Sequence, residues 1–405
     1  MGEPVVTVTG IGADGWAGLS PAAREAVLAA EVILGGPRQL ELLPDEVRGE
    51  RVSWPSPMLP ALPGLLAEHA GRELCVLASG DPMVFGVGAT LARLTGPERL
   101  RVLPHPSSIS LACARLGWPV DGLEVVSVVG RPLETLHAAL TPGRRILVLS
   151  ADGSTPAAVA GLLVARGYGE SALTVLEQLG GPAERVLTGT AADWPHGETD
   201  ALNVIAIDCV AAPGTPLLTR TPGLPDDAFE SDGQLTKREV RALTVSALNP
   251  APGQLLWDVG AGAGSIAIEW LRSHPSCRAI AVEHRADRVE RIERNAAALG
   301  VPALRIVPGR APDVLSGLEP PDAIFVGGGS TTSGVLPACW DALRPGGRLV
   351  VNAVTVQGEA VVADWHARIG GDLVRIAISR AAPVGGFTGW RPMMPITQWA
   401  ITKKS

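Results

Sequence analysis

Two α/β domains joined by a linker are the fold class that this 405-residue sequence predicts. Three observations lead there. The chain is longer than one hydrophobic core usually supports. Apolar strand-like runs alternate with helical patterns through both halves. A stretch dense in Pro, Gly and Thr, AAPGTPLLTRTPGLPDDAF, interrupts the alternation. The expected boundaries are a first domain over residues 1–210, a linker over 211–224 and a second domain over 225–405.

The first half opens on VVTVTGIGADG, a strand running into a turn, and continues through ELCVLASGDPMVFG, LRVLPHPSSISLACARLGWP, RRILVLSADGSTPAAVAGLLVARGYG and NVIAID. This alternation predicts an α/β domain with two lobes. Gly10, Gly12 and Gly15 spell GxGxxG, yet Trp16 to Leu19 intervene before Ser20 and Pro21, a good N-cap and N1 pair. A dinucleotide fingerprint runs directly into its helix, so NAD is disfavoured. Ser79-Gly80-Asp81-Pro82 follows an apolar run and marks the C-terminal end of a strand, where α/β proteins bind ligands. On local rules alone, Asp81 serves equally well as a turn residue and Ser107 as an N-cap for the helix after it.

The second half reads as a doubly wound unit. A helix is expected at 237–248, a strand at 254–258, helices at 265–273 and 287–298 around a strand at 278–282, then strands at 305–308, 322–327 and 348–354 and a late pair at 374–380 and 397–402. Thr236 and Glu239 have the T-x-x-E spacing of a capping box for the first of these helices.

The most informative segment is DVGAGAGS. The apolar run LLWDV feeds Asp258 into Gly260, Ala261, Gly262, Ala263 and Gly264, where bare backbone and a helix N-terminus can meet a ligand. One strand later, RAIAVEHR places Glu283 where a Rossmann-like fold holds the acid for a ribose diol. The compact GxGxG and the acid two residues before it favour S-adenosylmethionine over NAD, because an acid suits an ammonium and a sulfonium and repels a pyrophosphate.

Composition excludes several classes. A net charge of −7 opposes a general nucleic-acid binder. Cys75, Cys113, Cys209, Cys277 and Cys339 are scattered, with no CxxC or Cys/His cluster, so a reducing compartment and no metal site are expected. No apolar run approaches the ~18 residues of a membrane span, and the N-terminus lacks a basic signal region. A cytoplasmic location is the expectation. VGGGSTTS, Val326 to Ser333, stands where amine-directed methylases carry an Asn/Asp-Pro-Pro-aromatic loop, and no cysteine follows a proline, so RNA methylation loses support.

SGDP with FGVG, PHPSS, LARLT, ARLGWP and VLEQLGG, in that order, resemble the tetrapyrrole (corrin and porphyrin) methylase family across nearly all of residues 1–210. The resemblance implies S-adenosylmethionine between two lobes, near Ala13, Gly80, Asp81, Val84, Ser107, Ser108, Leu149 and Leu179. Ala13 stands where many members have proline, and His105 where many have glycine. In residues 225–405, DDAFESDGQLTKREVRAL, the glycine loop, VGGGS, LRPGGRLVVNAV and GGFTGWRPMMP resemble the class I, Rossmann-like methylases of cobalamin synthesis that methylate carbon 15 and remove a carboxyl. That resemblance implies cofactor contacts at Thr236, Gly260 to Gly264, Glu283 and Ala311; Arg310 replaces an acid often found beside the alanine.

Together the resemblances imply a bifunctional enzyme with one S-adenosylmethionine site per domain. It would methylate carbons 5 and 15 of a precorrin-6 macrocycle and decarboxylate its ring-C acetate, giving precorrin-8. A cobalt-bearing substrate is the alternative, and an RNA methyltransferase or a single-activity protein with one decayed half are lesser ones. No catalytic nucleophile is expected, since a sulfonium donor and enamine-like meso carbons need positioning and desolvation. Lys237, Arg241, Arg344 and Arg391 are the candidate cations for substrate carboxylates. A homo-oligomer is expected, with a tetrapyrrole as the small-molecule partner and neither nucleic acid nor membrane.

Overall fold

The computed structural model describes residues 6–55 and 57–404. The chain forms two compact units, one of Met1–Arg131 and Pro142–Thr215, the other of Pro132–Thr141 and Pro216–Ser405.

The first unit holds two five-stranded sheets. One is built from β1 (Val6–Ile11), β2 (Val32–Gly35), β3 (Glu50–Ser53), β4 (Leu74–Ser79) and β5 (Leu100–Leu103) in the order β3-β2-β4-β1-β5, every pair parallel. Its central strands carry side chains with no exposure on either face, Val8, Ile33, Leu34, Val76 and Leu77 among them, as a parallel sheet covered on both sides requires. Ser20 caps the helix Pro21–Ala29 through Ala23 N–H, as its sequence position predicts. The other sheet has β6 (Leu123–Ser127), β7 (Arg145–Leu149), β8 (Ala172–Glu177), β9 (Arg185–Thr190) and β10 (Asn203–Asp208) in the order β6-β7-β10-β8-β9, with only β6 and β7 parallel.

The second unit is a seven-stranded sheet of order β13-β12-β11-β14-β15-β19-β16. Its strands are β11 (Leu255–Val259), β12 (Arg278–Glu283), β13 (Arg305–Pro308), β14 (Ala323–Val326), β15 (Arg348–Ala353), β16 (Asp372–Ile376) and, after a hairpin of β17 (Ser379–Val384) and β18 (Phe387–Pro392), β19 (Ile396–Thr402). The first five are parallel, and β19 runs antiparallel between β15 and β16. The core is anchored by Trp257, Trp270 and Trp399, all buried, whose indole N–H groups each donate to a backbone carbonyl, of Glu319, Arg278 and Gly370.

The stretch 211–224 is held at both ends: Ala212 N–H and the Thr215 hydroxyl donate to Gly167 O in the first unit, while Leu224 is buried in the second and Leu218 and Thr219 carbonyls accept from Arg272. Three expectations differ from the structure. Residues Pro132–Thr141 count with the second unit; His137 Nδ1 lies 3.1 Å from Ala297 O. The late strand expected at 374–380 ends at Ile376, and the hairpin after it turns at Gly385-Gly386, a two-glycine signal that sequence reasoning passed over. The capping box does not form: the helix begins at Arg238 with Lys237 as N-cap, Asp226 accepts from Arg238 N–H, and Glu239 pairs with Arg380.

Candidate functional site

In the first unit, the C-terminal ends of all five parallel strands open on one cleft of about 340 Å³, which the strand ends Ser127, Leu149 and Leu176 of the other sheet close. Among the residues implied by resemblance, Ala13, Gly80, Val84, Ser108, Leu149 and Leu179 line it. Backbone crowding explains the small residues. A Cβ on Gly10 would lie 2.0 Å from Gly80 O and 2.7 Å from His105 N, so the GxGxxG glycines let three strand-end loops touch. Gly181 likewise packs on Ala13: a Cβ there would lie 2.7 Å from the Ala13 carbonyl oxygen.

Asp81 and Ser107 do not line the cleft. Asp81 Oδ1 accepts from Met83 N–H at 2.9 Å, a turn within its own loop, and the Ser107 hydroxyl caps the helix Ser108–Leu116 through Ser110 N–H at 3.1 Å. Both take the local roles that turn and cap rules allow. His105, half-buried, sets Nε2 3.1 Å from Asp14 Oδ2 and Nδ1 3.2 Å from Pro106 O, bracing the loops after β1 and β5. Sequence reasoning missed Arg38, Gln39 and Trp54, which also line the cleft. The strand-end rule applied to VILGGPR would have found the first two.

In the second unit the loops after β11, β12, β13 and β14 meet at the C-terminal edge of the sheet. Gly260, Gly262 and Gly264 have φ of 73°, 62° and 76°, the left-handed region where glycine is at ease. Gly262 N–H donates to Glu283 Oε2 at 2.9 Å, and Glu283 Oε1 accepts from His284 N–H and Arg285 N–H. Gly309 N–H donates to Glu283 O, which brings the loop carrying Ala311 alongside. Gln234 O lies 3.7 Å from where a Gly262 Cβ would be, so the segment leading to Thr236 and Lys237 passes over the glycine loop.

Asp258 is buried. Its Oδ2 accepts from Ala267 N–H at 3.0 Å, while Oδ1 has no partner among the described residues. Burial, with a smaller push from Glu283, raises its carboxyl to about 7. An orphaned acceptor beneath a glycine loop fits a cationic ligand group, and the open backbone of Gly262 fits the approach of a nucleoside.

The candidate cations separate. Arg241 is fully buried and leaves the list of substrate contacts: its guanidinium pairs with Glu269 at 2.5 Å and Asp226 at 3.3 Å, donates to Thr236 O and Leu224 O, and lies over the Phe229 ring. Its position on the inward face of an amphipathic helix put it in the core. Arg344 leaves it too, because it sits at the opposite end of the sheet, paired with Asp322 and Glu319 beside the start of β11. Lys237 is half-buried next to the loop cover, and Arg391 is exposed on β18 in register with Arg380. Among the described residues no cluster of His, Cys, Asp or Glu could hold a metal ion, and no helix is long and apolar enough to cross a membrane.

Two family models match the chain: Tetrapyrrole (Corrin/Porphyrin) Methylases over residues 5–195 and a precorrin methyltransferase domain over 227–403. A "Precorrin-6Y C(5,15)-methyltransferase [decarboxylating]" of Sinorhizobium sp. is 52% identical over 99% of this chain and 97% of its own. The chain belongs to this family. Two shorter proteins are similar to parts of this precorrin-6Y C(5,15)-methyltransferase family member. A "Cobalt-precorrin-7 C(5)-methyltransferase" of Salmonella typhimurium is 31% identical over 45% of this chain and 89% of its own. A "Probable cobalt-precorrin-6B C(15)-methyltransferase (decarboxylating)" of Saccharolobus solfataricus is 36% identical over 34% of this chain and 71% of its own.

Proposed function

We propose that the two halves divide the family's reaction, the first methylating carbon 5 and the second methylating carbon 15 and releasing the ring-C acetate carboxyl as carbon dioxide. As a member of its family, the chain is a decarboxylating methyltransferase of cobalamin biosynthesis. The observation that carries the division is the presence of two separate strand-end sites, the cleft of the first unit and the glycine loop of the second, each on its own sheet.

S-adenosylmethionine supplies, in each site, a methyl group on an already activated sulfonium. In the first unit Ala13, Gly80, Val84, Leu149 and Leu179 would hold it, and their apolar surface excludes water. In the second, Asp258 Oδ1 would face its ammonium, Glu283 its ribose, and Gly260 to Gly264 and Ala311 its backbone-lined flank, with Thr236 above. The residues do no covalent chemistry of their own: they orient the macrocycle and keep the carbanion-like carbon dry, while the conjugated imines of the substrate take up the electrons freed by decarboxylation. Lys237 and Arg391 remain proposed contacts for substrate carboxylates at the second site. Five buried thiols support a reducing compartment, and the cytoplasm is the proposed location.

The test is mass spectrometry of the full chain incubated with S-adenosylmethionine and precorrin-6 in its reduced form. Two methyl gains and one carbon dioxide loss are expected, with Val84→Arg abolishing one methylation and Gly262→Arg abolishing the other together with decarboxylation. Loss of both methylations in either variant would refute the division. The two shorter relatives are named for cobalt-bearing substrates, so a cobalt macrocycle is the second reading; turnover of it alone would select that reading.

A further inference from the structure

The cleft of the first unit contains a guanidinium with no ion-pair partner among the described residues. Arg38 follows β2 in the helix Pro37–Glu41, is half-buried, and lines the cleft. Its only hydrogen bond among the described residues is from Nη2 to the Ser79 hydroxyl at 3.0 Å, which leaves four of the five N–H donors that a guanidinium carries. No carboxylate comes within ion-pair distance among the described residues. Asp200 acts on it only through space, and its Oδ1 is taken by Gln178 Nε2 and Leu202 N–H. Burial depresses the Arg38 pKa, and the charge of Asp200 opposes the shift. By contrast, Arg241 and Arg288 have carboxylate partners in Glu269 and Asp232, and buried Arg272 donates to three backbone carbonyls.

Two neighbours fix the group in place. Gln39 Nε2 donates to the same Ser79 hydroxyl at 2.7 Å, so that oxygen accepts from both side chains and aligns them at the end of β4, next to Gly80. Trp54, after β3, supplies a flat apolar wall on the same side of the cleft.

We propose that Arg38 is a substrate-positioning residue of the first unit, binding a peripheral carboxylate of the macrocycle by a two-point, charge-assisted pair while Ser79 and Gln39 hold its orientation. This rests on the reading that the first unit methylates carbon 5. A planar guanidinium fixed at one corner matches a carboxylate bidentately, whereas an ammonium at the same place would give a point charge without orientation. Carbon 5 is one of several similar meso positions, and an anchor on one side chain of the ring decides which of them meets the methyl group.

The experiment uses the full chain, S-adenosylmethionine and reduced precorrin-6, comparing wild type with Arg38→Gln and Arg38→Lys. Arg38→Gln should raise KM for carbon-5 methylation about 10–100-fold. S-adenosylmethionine affinity and carbon-15 methylation with decarboxylation should stay within about twofold, since the latter two read folding and the other unit. Arg38→Lys should recover part of the KM and methylate carbon 5 less selectively. A methyl-esterified macrocycle should bind wild type and Arg38→Gln alike. An unchanged KM, or an equal loss of cofactor affinity, would overturn the proposal. A wild-type chain that never methylates carbon 5 would instead sink the functional reading, and Arg38's role with it.

Discussion

Gly260 and Gly328 meet backbone to backbone: a Cβ on Gly260 would lie 2.9 Å from the Gly328 carbonyl oxygen and 3.1 Å from its nitrogen. The loops after β11 and β14 therefore close on each other only because both are bare. Gly260 also has φ of 73°. Gly260→Ala should displace the β14 loop and cost the second unit at least about tenfold in carbon-15 methylation, while carbon-5 methylation is unchanged. Single-site product analysis checks it; equal loss at both carbons would show a global effect instead.

Asp258 makes the second site sensitive to pH. Its carboxyl is raised to about 7 by burial, from an ordinary value of 3.8. Between those values the folded state holds more protons than the unfolded state, so stability without cofactor should fall as pH rises from about 4 to 7 and level off above. A cationic cofactor prefers the ionised form, so its affinity should rise with pH up to about 7 and then plateau, with proton release on binding below that pH. Calorimetry in buffers of different ionisation enthalpy reads both.

Asp258→Asn should abolish that pH dependence at the second site. It should weaken cofactor binding there by about 10–100-fold, the size of a charge-assisted hydrogen bond, and leave the apo protein as stable or more so at neutral pH. Unchanged affinity would remove Asp258 Oδ1 from the cofactor contacts.

Arg241 predicts a stability effect with no direct part in binding. It is enclosed with Glu269, which itself accepts from Gly223 and Leu224 N–H. Arg241→Met should leave that carboxylate buried and unpaired, costing about 3–5 kcal/mol in chemical denaturation. A variant of wild-type stability with raised substrate KM would restore Arg241 as a binding residue.

The five thiols are all buried, and burial pushes Cys75 up to about 11 and Cys339 up to about 12. A thiol reagent at pH 8 should label them slowly in the native chain and all five after denaturation. Rapid native labelling would contradict the packing.

The sequence by itself determined the two α/β halves and the glycine loop with Asp258 and Glu283, because each rests on local rules: strand periodicity, and bare glycines where a strand turns into a helix; the family resemblance added Ala13, Gly80, Val84, Ser108, Leu149 and Leu179 of the cleft lining. Tertiary structure alone decided which charges are paired within the protein. Arg241, Arg344 and Arg38 carry the same charge, but the first is neutralised by Glu269 across a helix pair, the second by Asp322 at the far edge of the sheet, and the third has no ion-pair partner among the described residues, only a hydrogen bond to Ser79. The capping box was lost for the same reason, since Asp226 and Arg380, twelve and more than a hundred residues away, outcompeted a local contact. Periodicity reports which face of an element is apolar, but a charge is satisfied through contacts between segments distant in sequence, and these exist only once the chain has folded.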